Sequence, residues 1–473
     1  MRRFIQVGGY AILVQFIFLL ASSASISASK ISIPTFPERN STSLPNPPLP
    51  ISYQGVDHEP NRALEPSIAP GNIALVIAMN YKVTVYTKEN PGVLLYQEDF
   101  SSFYSSVANY GIFDPVARYD KKNGRFVVLA IANKYDQNKS FFAIATSKNS
   151  YPRSINDWCF FYSDASKFGT GQESFAADRP SMTLNPYSDI LYITANMYTH
   201  DASKLLEFQY SKLRTLKLST LYNDCGPTSV EGTDFKGFTH ENNLPVFNMQ
   251  TVHRTDDGPA YFIATVNGTS NVMSIFSLEN VINPPPGTRI PVPDLPNYAA
   301  TISIRQPGGL LSNKSQSMIM QAEYRNGAIW AIQDTKDHDF GGVNASVRIY
   351  KYTGTAPTQV QYREENGTDY SFGAIAVNKN DQALIAFNIS SPTRNIGIRY
   401  ADLSSVSADV KPGLGVSLSQ TWGDYALIAT DSNDIDFWIV HLYAKANGET
   451  GVWIASTKAA SSAHFIYLPQ LIK

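Results

Sequence analysis

The sequence predicts an all-β chain folded as a seven-bladed β-propeller, and three observations carry that prediction. A phrase of short strand, polar turn and more apolar strand recurs along most of the 473 residues. The turns inside the copies are rich in Asp, Asn and Gly, which tolerate the positive φ that tight hairpins require. No amphipathic helical period of useful length competes with them. The clearest copy is WGDYALIATDSNDIDFWIVHLY, from Trp422 to Tyr443: a loop, a strand, a turn over Asp431–Asp436 and a second strand.

Taken in order, residues 1–24 read as a secretory signal. Arg2-Arg3 supply the positive region, Phe4 to Leu20 the apolar stretch, and small residues up to Ala24 the cleavage site. The stretch is marginal against the roughly 20 apolar residues that span a bilayer, so cleavage is expected, and no membrane span afterwards. Residues 25–50 are Ser- and Pro-rich (FPERNSTSLPNPPLP). Pro at that density removes the donors a sheet needs, so a disordered leader is expected before a single propeller domain over 51–473.

The first copy runs from Glu65 through IALVIAMN, KVTVYTK and VLLYQ, and the second from Asp114 through VARYD, RFVVLAIAN, FFAIATSK and WCFFY. A third starts at Asp178-Arg179-Pro180, a fourth at Asn243, a fifth and less regular one at SMIMQAEYRNG, and a sixth at Tyr370. The Trp422 copy is the seventh. Starts lie about 50 to 75 residues apart, as propeller blades with some long loops require. The degenerate fifth copy leaves six or eight blades open. Ring closure is open too, through Ile51–Tyr53 or through the C-terminal HFIYL.

Net charge is −2, and no basic run follows Arg2-Arg3, so nothing points to nucleic acid or an anionic membrane as partner. Seven N-x-S/T sequons agree with export to an extracellular location: Asn40, Asn138, Asn267, Asn313, Asn344, Asn366 and Asn388. Each demands an exposed asparagine if it carries a glycan. Cys159 and Cys225 are the two cysteines, and in an oxidising compartment a disulfide between them is preferred over two buried thiols.

The phrases YKVTVYTKENPGVLLYQEDFSSFY, FDPVARYDKKNGRFVV, ADRPSMTLNPYSDILYITAN, QPGGLLSNKSQSMIMQAEYRN, FGAIAVNKNDQALIAFNIS, IGIRY and WGDYALIATDSNDIDFW resemble a family of secreted, sialidase-like-superfamily β-propellers common in bacteria. They cover roughly residues 65 to 456 in family order. The resemblance implies the fold far more than any activity, which is mostly unassigned in the family. Members usually carry a more acidic final repeat where this chain has Ile439-Val440-His441-Leu442, and the sequons suggest a eukaryotic branch.

In a propeller, the residues ahead of the innermost strands converge on one mouth of the central channel. Here they are Glu65, Asp114, Asp178, Arg179, Asn243, Tyr370, Trp422, Gly423, Asp424 and Tyr425. Carboxylates crowded at one opening, with an Arg, a Trp and Tyr residues, suit a cation or a sugar, and crowding raises carboxylate pKa as acid catalysis uses. Against that stands a plain structural role, because Asp or Asn at such positions often bonds backbone N–H groups.

Aspartate boxes are absent, and the spacing of Arg118, Arg179, Arg305, Arg325 and Arg399 makes no arginine triad. Among His200, His240, His253, His338 and His441 no two share a motif, and His441 reads as a satisfied core histidine. Asp431, Asn433, Asp434 and Asp436 have a calcium-loop flavour but lack the Gly and terminal Glu of an EF-hand, so a hairpin turn is expected there, with no cofactor. Two functions remain. One is a monomeric extracellular binding module for a glycan or protein ligand. The other is a glycoside hydrolase or polysaccharide lyase using the acidic mouth.

Overall fold

Polar turns alternating with apolar strands close into seven four-stranded antiparallel sheets, in a computed structural model that describes residues 48–458. Excepted are 56–62, 108–110, 169–173, 201–206, 224, 227, 267, 269, 279–287, 291–301, 316, 337–342, 355–357, 363–365, 404–406 and 420–421. The signal segment, Asn40, Asn267, His338 and the C-terminal HFIYL lie outside the described residues.

Each sheet is one blade. The innermost strands, in order, are Ser67–Pro70, Gly111–Asp120, Phe175–Asn185, Gln250–Thr251, Ile319–Arg325, Asp369–Val377 and Leu427–Thr430. Each meets the next, and the seventh returns to the first, so the strands ring a channel. The second strands, such as Ala74–Met79 and Ile190–Thr199, are buried almost throughout because neighbouring blades cover both faces. Their continuous apolar runs are therefore required by the ring itself.

Ile51–Gln54 closes the ring as the outermost strand of the seventh blade, antiparallel to Thr450–Lys458, with Ile51 opposite Ser456 and Gln54 opposite Trp453. The packing reaches slightly into the expected leader, since Pro48 O accepts from Thr457 Oγ1 (2.8 Å) and Pro50 O from Asn90 Nδ2 (2.9 Å). The fifth blade has all four strands, Ile319–Arg325 to Thr358–Tyr362. Its apparent irregularity comes from an extra hairpin, Ile302–Gln306 with Gly309–Ser315, inserted between the fourth and fifth blades. The sparsest inner strand belongs to the fourth blade, whose Gln250–Thr251 pairs over two residues only.

Cys159 and Cys225 are joined, tying the outer strand of the second blade to the segment after the short Leu218–Tyr222 helix. Closing a 66-residue separation is worth about 4 kcal/mol in chain entropy.

Candidate functional site

The inner strands share a local distortion that the sequence does not announce. Pairing skips between Phe113 and Val116, Asp178 and Ser181, Ile319 and Gln321, and Ser371 and Ala374. Residues at or just ahead of several inner strands adopt left-handed backbone: Glu65, Asp114, Arg179, Asn248 and Phe372, with φ between 44° and 53°. For side-chain-bearing residues this costs free energy, and the surroundings must compensate.

Hydrogen bonds across the blade seams supply the compensation. Asp114 N donates to Asn80 Oδ1 (2.6 Å), Asn248 N to Asn196 Oδ1 (2.8 Å), and Phe372 N and Gly373 N to the Asp334 carboxylate (2.6 and 2.9 Å). Asn133 Nδ2 donates to Ala177 O (2.9 Å) in the same sense. Each acceptor or donor sits near the far end of a second strand and reaches into the next blade. This bulge-and-clamp pattern places the mouth residues within or beside the strands, rather than in free loops ahead of them.

At the first three seams and the seventh, the pattern brings charged groups together. Asn80 Nδ2 donates to Glu65 Oε2 (2.7 Å), Asp424 N donates to Glu65 Oε1 (3.3 Å), and Arg179 N donates to Asp114 Oδ2 (2.9 Å). The Arg179 guanidinium ion-pairs with Asp424. Six of the ten expected residues, Glu65, Asp114, Asp178, Arg179, Asp424 and Tyr425, thus form one cluster. Glu65 and Asp114 are buried and serve the seams, which is the backbone-bonding role anticipated for such residues. Asp178, Arg179 and Asp424 are half-buried and face the mouth.

Burial is the first cause of the raised pKa of Glu65, Asp114 and Asp178. Asp114 stands well above the carboxylate range, by burial first and then by the neighbouring Glu65, so the buried pair favours holding a proton. Asp178 is pushed up to about 7, by burial first and then by Asp114. For Arg179 burial opposes the charge, yet Asp424, Asp178, Asp114 and Glu65 together outweigh it and hold the guanidinium protonated. The buried Tyr425 hydroxyl has no hydrogen-bond partner, and its pKa is raised by burial and then by Asp114 and Glu65. The cluster therefore offers one fixed cation, one carboxyl poised between its two forms, and one unsatisfied phenol.

Trp422 does not belong to the site. It is fully buried, with Nε1 donating to Asn388 Oδ1 (3.2 Å), and it shares an apolar cluster with Phe372 and Leu442. Ile304 and Leu311 of the inserted hairpin join the same cluster, and that cover is why an aromatic in a loop phrase presents no surface. Asn243 is an exposed turn residue, and Asn248 takes its place at the fourth blade. Tyr370 packs edge-on against Phe387, and Phe372 occupies the bulge of the sixth blade.

Three of the remaining arginines are held by carboxylates away from the mouth. Arg305 of the inserted hairpin grips Asp369 through Nε and Nη2 (2.8 and 2.9 Å), Arg325 pairs with Asp434, and Arg399 with Asp409. His441 is the satisfied core residue expected, bonded to Phe372 O and to Leu442 N (2.9 Å each). In the turn after Leu427–Thr430, Asp431 accepts from Asn433 N and Trp438 Nε1 and pairs with Lys88, and Asn433 accepts from Ile435 N and Asp436 N. Those bonds make it a hairpin turn, as expected.

Two sequons need correcting. Asn344 and Asn388 are buried, with Asn344 Oδ1 accepting from Arg305 and Asn388 Nδ2 donating to Gly397 O and Leu442 O (2.8 Å each). Neither amide has room for a glycan, whereas Asn138 and Asn366 are exposed. Asn313 lies on the inserted hairpin.

No protein-family model matches the chain, and no curated protein matches it. Solved structures do resemble it. A Dyadobacter fermentans protein of unknown function shares 9% identity over 88% of this chain and 100% of its own, at a TM-score of 0.42. A Hadza microbial sialidase shares 12% over 81% of this chain and 73% of its own (TM-score 0.38). A Penicillium chrysogenum α-L-arabinanase, solved with arabinobiose, shares 10% over 89% and 99% (TM-score 0.36). Likeness at this distance carries nothing about chemistry, which rests on the side chains above.

Proposed function

We propose that the protein is a secreted β-propeller acting as an extracellular binding module, which recognises a hydroxyl-rich ligand such as a glycan at the acidic mouth. The supporting observation is the mixed state of that mouth. Asp178 with a pKa near 7, the unpartnered Tyr425 hydroxyl and the Arg179–Asp424 pair set donors beside acceptors in a partly dry site. Vicinal sugar hydroxyls need such a mixture, since each both donates and accepts. Glycosidic hydrolysis asks for more: two carboxyl groups free at a fixed separation. Here Glu65 and Asp114 are committed to the seams, and Asp424 is held by Arg179. Export is supported by the signal-like N-terminus, the exposed sequons and the disulfide.

A glycan array and a polysaccharide-degradation screen on the secreted protein, each run on wild type and Asp178→Asn, test this reading. Binding without turnover, weakened about ten-fold or more in Asp178→Asn at unchanged melting temperature, is the expected result. Loss of folding in Asp178→Asn, or binding indifferent to it, would refute the site. One observation favours hydrolase or lyase chemistry as a second reading, because a half-buried carboxyl with its pKa near 7 is suited to general acid work. It requires turnover that falls with Asp178→Asn and a pH–rate limb near 7.

A further inference from the structure

At the opposite end of the channel, among the hairpin turns, the structure holds a cavity of about 360 Å³. That lies within the usual range for small-molecule sites, about 300–1,000 Å³. One wall is apolar, formed by Ile68, Leu184 and Ile428, with the exposed ring of Tyr187 beside the opening. The floor is Arg118, which also lines a smaller cavity of about 40 Å³ on the side of the acidic mouth.

Arg118 differs from the other arginines of the cavity. Arg325 is saturated: it pairs with Asp434 (2.6 Å) and donates to Val377 O (2.9 Å). Arg254 is saturated too, through Asp256, Pro259 O and Asp257 O. Arg118 donates through Nη1 to Ala117 O (3.1 Å), while its Nε is buried with no hydrogen-bond partner. Among the described residues it makes no ion pair. Glu323, the acid whose charge acts on it, accepts from Val377 N at Oε2 (2.7 Å), and burial raises its pKa to about 7. A half-buried guanidinium lacking an ion pair is unfavourable, and desolvation lowers its own pKa to about 10.

A guanidinium that lines a cavity without an ion pair matches a carboxylate, which accepts from its terminal N–H groups and returns the missing charge. The apolar wall and Tyr187 would hold whatever body the carboxylate carries. We propose that this cavity is a second ligand site, separate from the acidic mouth, for a small organic carboxylate with an apolar body seated on Arg118. Occupancy of this cavity is independent of what the acidic mouth binds.

Calorimetry and thermal shift on the full secreted protein test the proposal with three probes: benzoate, benzamide of the same shape without the charge, and inorganic phosphate. Benzoate is expected to bind and to raise the melting temperature with concentration, and benzamide to bind about ten-fold more weakly or worse. Arg118→Gln should cost benzoate about ten-fold or more, and Tyr187→Ala, a rim change that leaves the fold alone, about three-fold. Arg118→Gln should melt no lower than wild type, because it removes a half-buried charge that has no ion pair. Should that variant fail to fold, the benzamide comparison and Tyr187→Ala still decide. No benzoate binding up to about 20 mM, equal binding of benzamide, or indifference to both variants would overturn the site. Phosphate binding as tight as benzoate would overturn the organic body.

Discussion

Acid should weaken the fold through histidines held neutral by burial, His253 and His441, of which His441 has both ring nitrogens hydrogen-bonded. It lies on Asp436–Ala444, fully buried, with Nε2 donating to Phe372 O in the sixth blade and Nδ1 accepting from Leu442 N (2.9 Å each). Both nitrogens are therefore satisfied by one neutral tautomer. Protonation would put a second N–H at Nδ1, facing the Leu442 donor, inside an apolar seam. Burial accordingly pushes the pKa down to about 4, from 6.5 in an exposed chain. Between those two values the unfolded chain binds a proton that the folded one refuses, so stability is intact above pH 6.5 and is lost as pH falls toward 4. The gap is worth about 3 kcal/mol. Asp178 and Glu323, both raised to about 7, work in the opposite sense, because the folded state holds their protons as pH falls from 7 toward 4. The raw pH profile therefore mixes signs, and a difference measurement is needed. Urea unfolding of wild type and His441→Gln, from pH 7.5 down to 4.5, isolates the histidine. The variant is expected to be the less stable at pH 7.5, and the gap to close by about 2–3 kcal/mol by pH 4.5. A gap constant to within about 0.5 kcal/mol would mean that His441 is not held neutral by the seam.

Two further predictions concern the seams and the sequons. Asn80→Ala removes the acceptor of the left-handed Asp114 N–H and the donor to Glu65, both buried, and should cost about 2–4 kcal/mol by urea unfolding; a cost below about 0.5 kcal/mol would remove the clamp from the account of the fold. In protein secreted by eukaryotic cells, site-resolved mass spectrometry should find glycan at Asn138 and Asn366 and none at Asn344 or Asn388, and occupied Asn388 in folded protein would contradict the burial of its amide.

Most of the fold was legible because its signals are local. The turn residues between strands, the continuous apolar second strands and their repetition all sit within short windows, and each copy reinforces the others. What failed depended on chain from elsewhere. Trp422 looked like a mouth residue until Ile304 and Leu311, inserted over a hundred positions earlier, joined its cluster. Asn243 begins the Asn-Leu-Pro phrase of the fourth copy, but the left-handed backbone and the Asn196 clamp put Asn248 at the mouth position. One usable signal was overlooked. Three second strands finish their apolar core at an asparagine, as AMN, IAN and TAN, and Asn80, Asn133 and Asn196 are the clamps of their seams. A second was Arg118, His253 and Glu323, ionisable groups at matching places in VARYD, TVHRTDDG and QAEYRNG, which line the lower cavity together.

The bulges also explain why the acidic mouth is lopsided. Each bulge turns backbone N–H groups toward a neighbouring blade, and whatever side chain occupies it is set near the channel. Where that residue is Asp114 or Arg179, the geometry yields charge; where it is Phe372, the same geometry yields an apolar seam. The charged groups consequently come from the seventh, first, second and third blades. On the other side, Arg305 of the inserted hairpin is locked to Asp369, and Gln306 exchanges hydrogen bonds with Ser417 (2.9 Å each). A ligand at this mouth therefore meets half a ring of ionisable groups, and substitutions in the hairpin should alter folding of the sixth and seventh blades before they alter recognition. Arg305→Ala separates the two: it leaves Asp369 buried without its bidentate partner, which predicts a loss of stability with ligand affinity at Asp178 and Asp424 unchanged in the fraction that folds.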